Sequence, residues 1–309
     1  MPTFDVPKTP LLMNRFILLL LGLALFSQGC KKTEIHEVNE VYLMEGNQPP
    51  DYSGVTSLQV QNYVGRLYID IRGEQPSFEV IEQGVATLQA GGLSIEAREE
   101  FILNLMDDEE YYLNLWNYTA VQLINGVPRS EILEQIAQYA IVIDLYYQNG
   151  ETLLAQYLEF ESEKMLNLAQ ADSMLAEGLI SLNEFYGRFC YNAIYDEINM
   201  GSENMVIACF ENLFQRYPTL SELQSGVEMV DGLSTVLLQQ SGSSKGDFVH
   251  IVTHTPEFYS GRVKEQYQRL LQRSPNALEQ QQGSALLSQS GDLKQLQTTV
   301  LKTDEYAGF

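Results

Sequence analysis

The chain has 309 residues, 45% of them hydrophobic and 19% charged, with 41 acidic side chains against 18 basic ones and a formal charge of −23. That composition is globular rather than disordered, and the length suits one large domain or two ordinary ones. The acidity excludes nucleic acid as a partner, because phosphate binding needs a basic face, and it excludes electrostatic adhesion of the folded part to anionic lipid.

Residues 1–29 read as a signal peptide. Asn14 and Arg15 lead into an apolar run from Phe16 to Phe26, which is too short to span a bilayer. Ser27-Gln28-Gly29-Cys30 follows, and its Gly-Cys ending resembles the lipobox of bacterial lipoproteins. The resemblance implies acylation of Cys30, with the lipid bilayer as the first partner of the mature chain. Residues 30–54 read as a flexible tether: Glu34, Glu37, Glu40 and Glu45 precede Asn47-Gln48-Pro49-Pro50 without a helical apolar stripe. Besides Cys30 there are only Cys190 and Cys209, which is no disulfide framework; two buried thiols are the expected reading, with a pair formed in an oxidising periplasm as the alternative.

From Val55 onward apolar residues recur at helix spacing. Stops stand at Gly73, Gly91-Gly92, Gly126, Gly150 and Gly201. Starts stand at Ser94, Ser181, Thr219 and Asn276, and the last three have Glu184, Glu222 and Glu279 three residues on, the spacing of a reciprocal capping box. No strand-length alternating run appears. The fold expected is all-α: a multi-helix body of repeated helix-turn-helix units behind a lipidated N-terminal tether.

Three segments superimpose on a proline: Tyr68 to Pro76, Phe210 to Pro218 and Tyr267 to Pro275. Each begins with an aromatic eight residues before the proline and is followed, eight residues after it, by Gly84, Gly226 or Gly283. The pattern predicts a helix, a turn steered by proline, and a second helix whose glycine permits close packing. Each unit closes on a capped turn, at Asp108-Glu-Glu-Tyr-Tyr112, Thr255-Pro-Glu-Phe-Tyr259 and Thr303-Asp-Glu-Tyr306, and Ser181 to Arg188 repeats the theme. Residues 55–112 thus form one helical repeat unit and 204–309 two more, around a long-helix middle region, 113–203. This outline resembles a helical repeat of bacterial surface proteins, aromatic-x-x-Leu-Gly-Arg-x-Pro followed by Ser-x-Glu-Phe, and distantly the linker domains of light-harvesting antennae. Arg216 and Arg273 match the family arginine where the first unit has Glu74, while Gly73 matches the family glycine where the others have Gln215 and Gln272. The resemblance implies a protein that connects or displays other parts, without catalysis.

The middle region reads as helices over Ser130–Gln148, Glu151 to about Gln170, and about Ala171 to Met200. Tyr139 to Tyr147 is the most apolar stretch of the mature chain, too short and too acidic at its flanks for a membrane, and is expected to be a central core helix.

Reactive groups are few. His250 and His254, with Glu257 nearby, are the metal candidates, spaced i, i+4 but lacking the Glu that follows the first His in zinc hydrolases. Two part-exposed imidazoles beside a capped turn are the expected reading, with no metal and no cofactor. Ser241 to Gly246 lacks phosphate-loop spacing and reads as a flexible loop, and Asp107 to Glu110 reads as a helix cap. Nine aromatics between Tyr111 and Phe160 mix core residues with a potential sugar platform. Charge is uneven: Thr33–Ser244 carries 33 acids and 7 bases, Lys245–Phe309 carries 7 of each. The function expected is a non-enzymatic, lipid-anchored interaction or scaffold protein of a Gram-negative envelope, with an envelope protein as partner. The alternatives are a glycan- or peptide-binding lipoprotein serving an outer-membrane transporter and, more remotely, a metal-dependent hydrolase.

Overall fold

The computed structural model describes residues 51–309. The signal peptide, Cys30 and the tether as far as Pro50 lie outside the described residues. Within them are sixteen α-helices and one two-stranded ribbon, so the fold is all-α as expected.

The first unit is α1 (Ser57–Arg72), α2 (Phe78–Ala90) and α3 (Ile95–Met106). Thr56 and Gln59 form a capping box on α1, and Gly73 closes it in the left-handed region at φ 73°. Ser77, just after Pro76, then caps α2, and Ser94 caps α3. α4 (Glu109–Leu123) starts from Asp108. The second unit is α10 (Ser202–Phe214), α11 (Leu220–Val230), the ribbon β1 (Thr235–Leu237) with β2 (Gln240–Gly242), and α12 (Lys245–Thr253). The third is α13 (Pro256–Leu271), α14 (Ala277–Ser290) and α15 (Leu293–Leu301), followed by α16 (Asp304–Ala307). α13 leaves the second unit and opens the third, so the two overlap on one helix. Between the first and second units lie α5 (Arg129–Gln148), α6 (Thr152–Ala169), α7 (Ala171–Ala176), α8 (Leu182–Cys190) and α9 (Ala193–Ile198).

The repeat is geometric as well as textual. Twelve residues before each proline stands a valine, and it meets the glycine that follows the proline. A Cβ placed on Gly84 would lie 2.8 Å from Val64, on Gly226 2.8 Å from Val206, and on Gly283 3.0 Å from Val263. The third helix reaches the same point, through Phe101 at 3.1 Å, Phe248 at 3.3 Å and Leu296 at 3.2 Å. Glycine is therefore the only residue that lets the three helices converge. Phe210 and Tyr267 are buried on the first helix of their units, while Tyr68 is half-buried.

The first and last units close on one another. The Tyr63 hydroxyl donates to the Leu301 carbonyl at 3.1 Å, Arg66 to the Tyr306 carbonyl at 2.7 Å, and Gln59 to the Gly308 carbonyl at 2.9 Å. Residues of all three units share one hydrophobic core with Trp116, Phe185 and Phe189 of the middle region.

Three expectations fail. The helix expected over 171–200 is three short ones, broken by Gly178 in the left-handed region and by Asn192, whose side chain caps α9. The loop expected at Ser241–Gly246 is instead the end of β2 and the Ser244 cap of α12. Its ribbon turns on Leu238 and Gln239, both at positive φ without the Asn-Gly that usually announces such a turn. Tyr139–Tyr147, expected in the core, contains no buried residue at all. Starts fare better: Ser94, Ser181, Thr219 and Asn276 all cap helices, the last three as full boxes. Cys190 and Cys209 are buried free thiols, and the neighbouring Cys209 sulfur together with burial pushes the Cys190 thiol well up.

Candidate interaction surface

α5 and α6 form a hairpin arm turned at Asn149-Gly150, with Gly150 at φ 76°. Its root is clamped to the body. Arg129, the first residue of α5, pairs with Asp172 at 2.6 Å and lies over the Trp116 ring at 4.7 Å, while the Trp116 indole N–H donates to the Leu168 carbonyl at 2.8 Å. Beyond the root the arm has little to lean on: from Leu133 to Lys164 the sole buried residue is Ala155. One face of each helix packs on the other helix; much of the opposite faces meets solvent, though Phe160 lies edge-on to Tyr191 of the body at 6.5 Å. On α5 the stripe Leu133, Ala137, Ile141, Leu145 recurs every four residues, with Ile141 72% exposed. On α6 it is Leu153, Tyr157 and Phe160, at i, i+4, i+7, with Leu153 82% exposed. These are large apolar side chains left exposed on two adjoining helices. Between Ser130 and Glu163 there are seven carboxylates and no Lys, Arg or His. The arm is therefore apolar stripes set in an exclusively acidic rim.

The remaining sites expected from sequence are structural. Arg216 donates to Glu222 of the capping box at 2.8 Å and also to Glu257, and lies 5.0 Å over the Phe210 ring. Arg273 repeats this in the third unit: Glu279 at 2.8 Å, Glu305 at 2.6 and 2.7 Å, and the Tyr267 ring at 5.3 Å. Each arginine thus ties the turn after one helix to the caps of two others. Its hydrogen bonds hold Glu222 down to about 2 and lower Glu279 and Glu305. In the first unit Glu74 replaces the arginine and Val80 the box glutamate, a matched pair of losses. Arg72 serves instead, 5.5 Å from the Tyr68 ring and 2.9 Å from Asp108.

Glu257 is thereby taken up by Arg216 and is not a ligand partner for the histidines. His250 and His254 stack face to face, centroids 4.0 Å apart, and the His254 Nδ1–H donates to the His250 carbonyl. Among the described residues no group of three His, Cys, Asp or Glu is placed to hold a metal ion. The aromatics between Tyr111 and Phe160 divide: Tyr111 and Trp116 are core, while Tyr147, Tyr157 and Phe160 are exposed on the arm.

What the elements define is an all-α repeat body bearing a helical arm. No protein family matches the chain, nor does any curated protein or solved structure. The arm's apolar content is legible in the sequence but reads as core; the absence of any cation over 34 residues is the signal that points outward.

Proposed function

We propose that this chain is a non-enzymatic interaction protein of the Gram-negative cell envelope, held to the bilayer through acylated Cys30, and that the α5–α6 arm engages its partner. The carrying observation is the pair of exposed stripes in a cation-free rim. A second copy is disfavoured as occupant, because it would set acidic rim against acidic rim. The chemistry selects a segment with apolar anchors and lysine or arginine around them, laid along the arm as an amphipathic helix lies in a groove. Covering one such leucine fully is worth about 1.5–3 kcal/mol before the costs of association. Anchoring is supported by the Phe16–Phe26 run and Gly29-Cys30, and the connecting role by the likeness of the repeats to the surface-protein outline.

The test places a photo-crosslinking residue at Leu153 in the full chain in living cells, with Leu220, 83% exposed on the body, as the comparison position. The expected result is one envelope protein joined at Leu153 and not at Leu220, through a segment rich in Lys or Arg. Adducts to lipid, to a second copy or to nothing would overturn the reading of the arm.

A further inference from the structure

A cleft of about 250 Å³ opens between α6, α8 and α12. Arg188 and Glu184 of α8, Lys164 of α6, and His250 and His254 at the end of α12 line it. Lys164 is already satisfied, paired with Glu161 at 2.8 Å and set 4.4 Å from the Tyr191 ring. Arg188 is not. Its Nη1 donates to the Asn167 carbonyl at 3.0 Å and touches the Met174 sulfur, while Nε and Nη2 take no protein partner among the described residues. The carboxylate one helical turn away, Glu184, makes no hydrogen bond to Arg188; its Oε2 accepts from the Ser181 backbone N–H at 2.9 Å and hydroxyl at 3.1 Å. Burial also pushes the Arg188 pKa down, partly offset by Glu184, as for a charge short of counter-charge. Beside this open guanidinium edge stand Tyr191, Val249 and the bare backbone of Gly187.

From the open edge of Arg188 and the apolar wall beside it, we propose that this cleft binds a small carboxylate attached to an apolar group, independently of the arm. A planar guanidinium with Nε and one Nη open matches a carboxylate in two parallel hydrogen bonds. The wall then covers the carbon body. Glu184 at the rim disfavours a doubly charged phosphate relative to a single carboxylate. A free acid and the C-terminus of a peptide offer the same chemistry.

The experiment is calorimetric titration of the full chain with N-acetyl-leucine, with N-acetyl-leucine amide, with a short peptide ending in leucine, and with inorganic phosphate. N-acetyl-leucine should bind saturably, and its amide at least tenfold more weakly. The peptide binding better than the amino acid would assign a peptide end; the reverse would assign a free acid. Arg188→Gln should weaken binding at least tenfold. Gly187→Leu provides a second variant in case the first perturbs folding. A Cβ there has ordinary room, 3.7 Å from Val249, and because Gly187 lines the cleft the longer side chain should crowd it without removing the guanidinium. Equal binding of acid and amide, preference for phosphate, or unaltered binding in a folded Gly187→Leu variant would overturn the proposal.

Discussion

The Tyr306 hydroxyl donates to the Asp70 carboxylate at 2.6 Å, joining a side chain of the shortest helix, α16, to one of the first helix, α1. The two residues are 236 positions apart, and Arg66 lies 4.2 Å over the same tyrosine ring. A charge-assisted bond of this kind is worth about 1.5–3 kcal/mol. Tyr306→Phe should lower stability by that order in urea denaturation, without changing the number of transitions.

The aromatics of the repeats are expected to cost more. Phe210 is fully buried and packs edge-on against Phe214 at 4.9 Å. Phe210→Ala should destabilise by about 3–5 kcal/mol. Because α1 is bonded to the Leu301 and Tyr306 carbonyls, the loss should appear as one transition by both circular dichroism and Trp116 fluorescence. Early melting of residues 204–309 alone would show that the first unit is independent.

Gly226→Ala and Gly283→Ala should each destabilise, since the new methyl meets a valine at or under 3.0 Å and the third helix just beyond. Overpacking of this kind costs about 1–3 kcal/mol. Gly65→Ala, on α1 with no atom within 4 Å of the added carbon, should instead stabilise by about 0.5–1 kcal/mol. Thermal melts of the three variants separate packing from helix propensity.

Gln272 ends α13 in the left-handed region at φ 55°, where glycine suffers no steric penalty. Gln272→Gly should therefore raise stability by roughly 1 kcal/mol at equilibrium.

Acid should weaken the fold through Glu222 of the second unit. Glu222 is held at about 2 in the folded protein against an ordinary 4.5, chiefly by its hydrogen bonds from Arg216. Its contribution to stability is complete above pH 4.5 and drains away as pH falls toward 2. Arg216→Gln should lower stability at neutral pH and flatten the slope in that acid window, as read from denaturation midpoints between pH 5 and about 2.

Much of the body is legible locally. Ser181, Thr219 and Asn276 with their glutamates, and the three prolines with their glycines, are short-range signals whose geometry does not depend on what packs nearby. The valines twelve residues before each proline are equally legible once the prolines are aligned. What covers a helix is a different matter. Tyr139–Tyr147 is as apolar as a core segment, and only the tertiary arrangement leaves its outer stripe unpartnered. Leu238 and Gln239 turn a ribbon against their own preference, held by pairing on either side. Arg188 and Glu184 look like an ordinary i, i+4 pair; the box at Ser181 is readable, but that it leaves the guanidinium open shows only when α6 and α12 are in place.

The ring of Phe309 sits 5.9 Å from that of Tyr52 and 5.5 Å from that of Tyr63. Where the described chain begins and where it stops are thus neighbours, and the Asn149-Gly150 turn at the arm's tip carries no packing that the body needs. The molecule has the makings of a ring with a movable seam. A short linker from 309 back to 51, with new ends opened at 149–150, would yield a permuted protein in which α6 is the first helix and α5 the last to leave the ribosome, and whose new ends at the arm's tip can be extended or labelled.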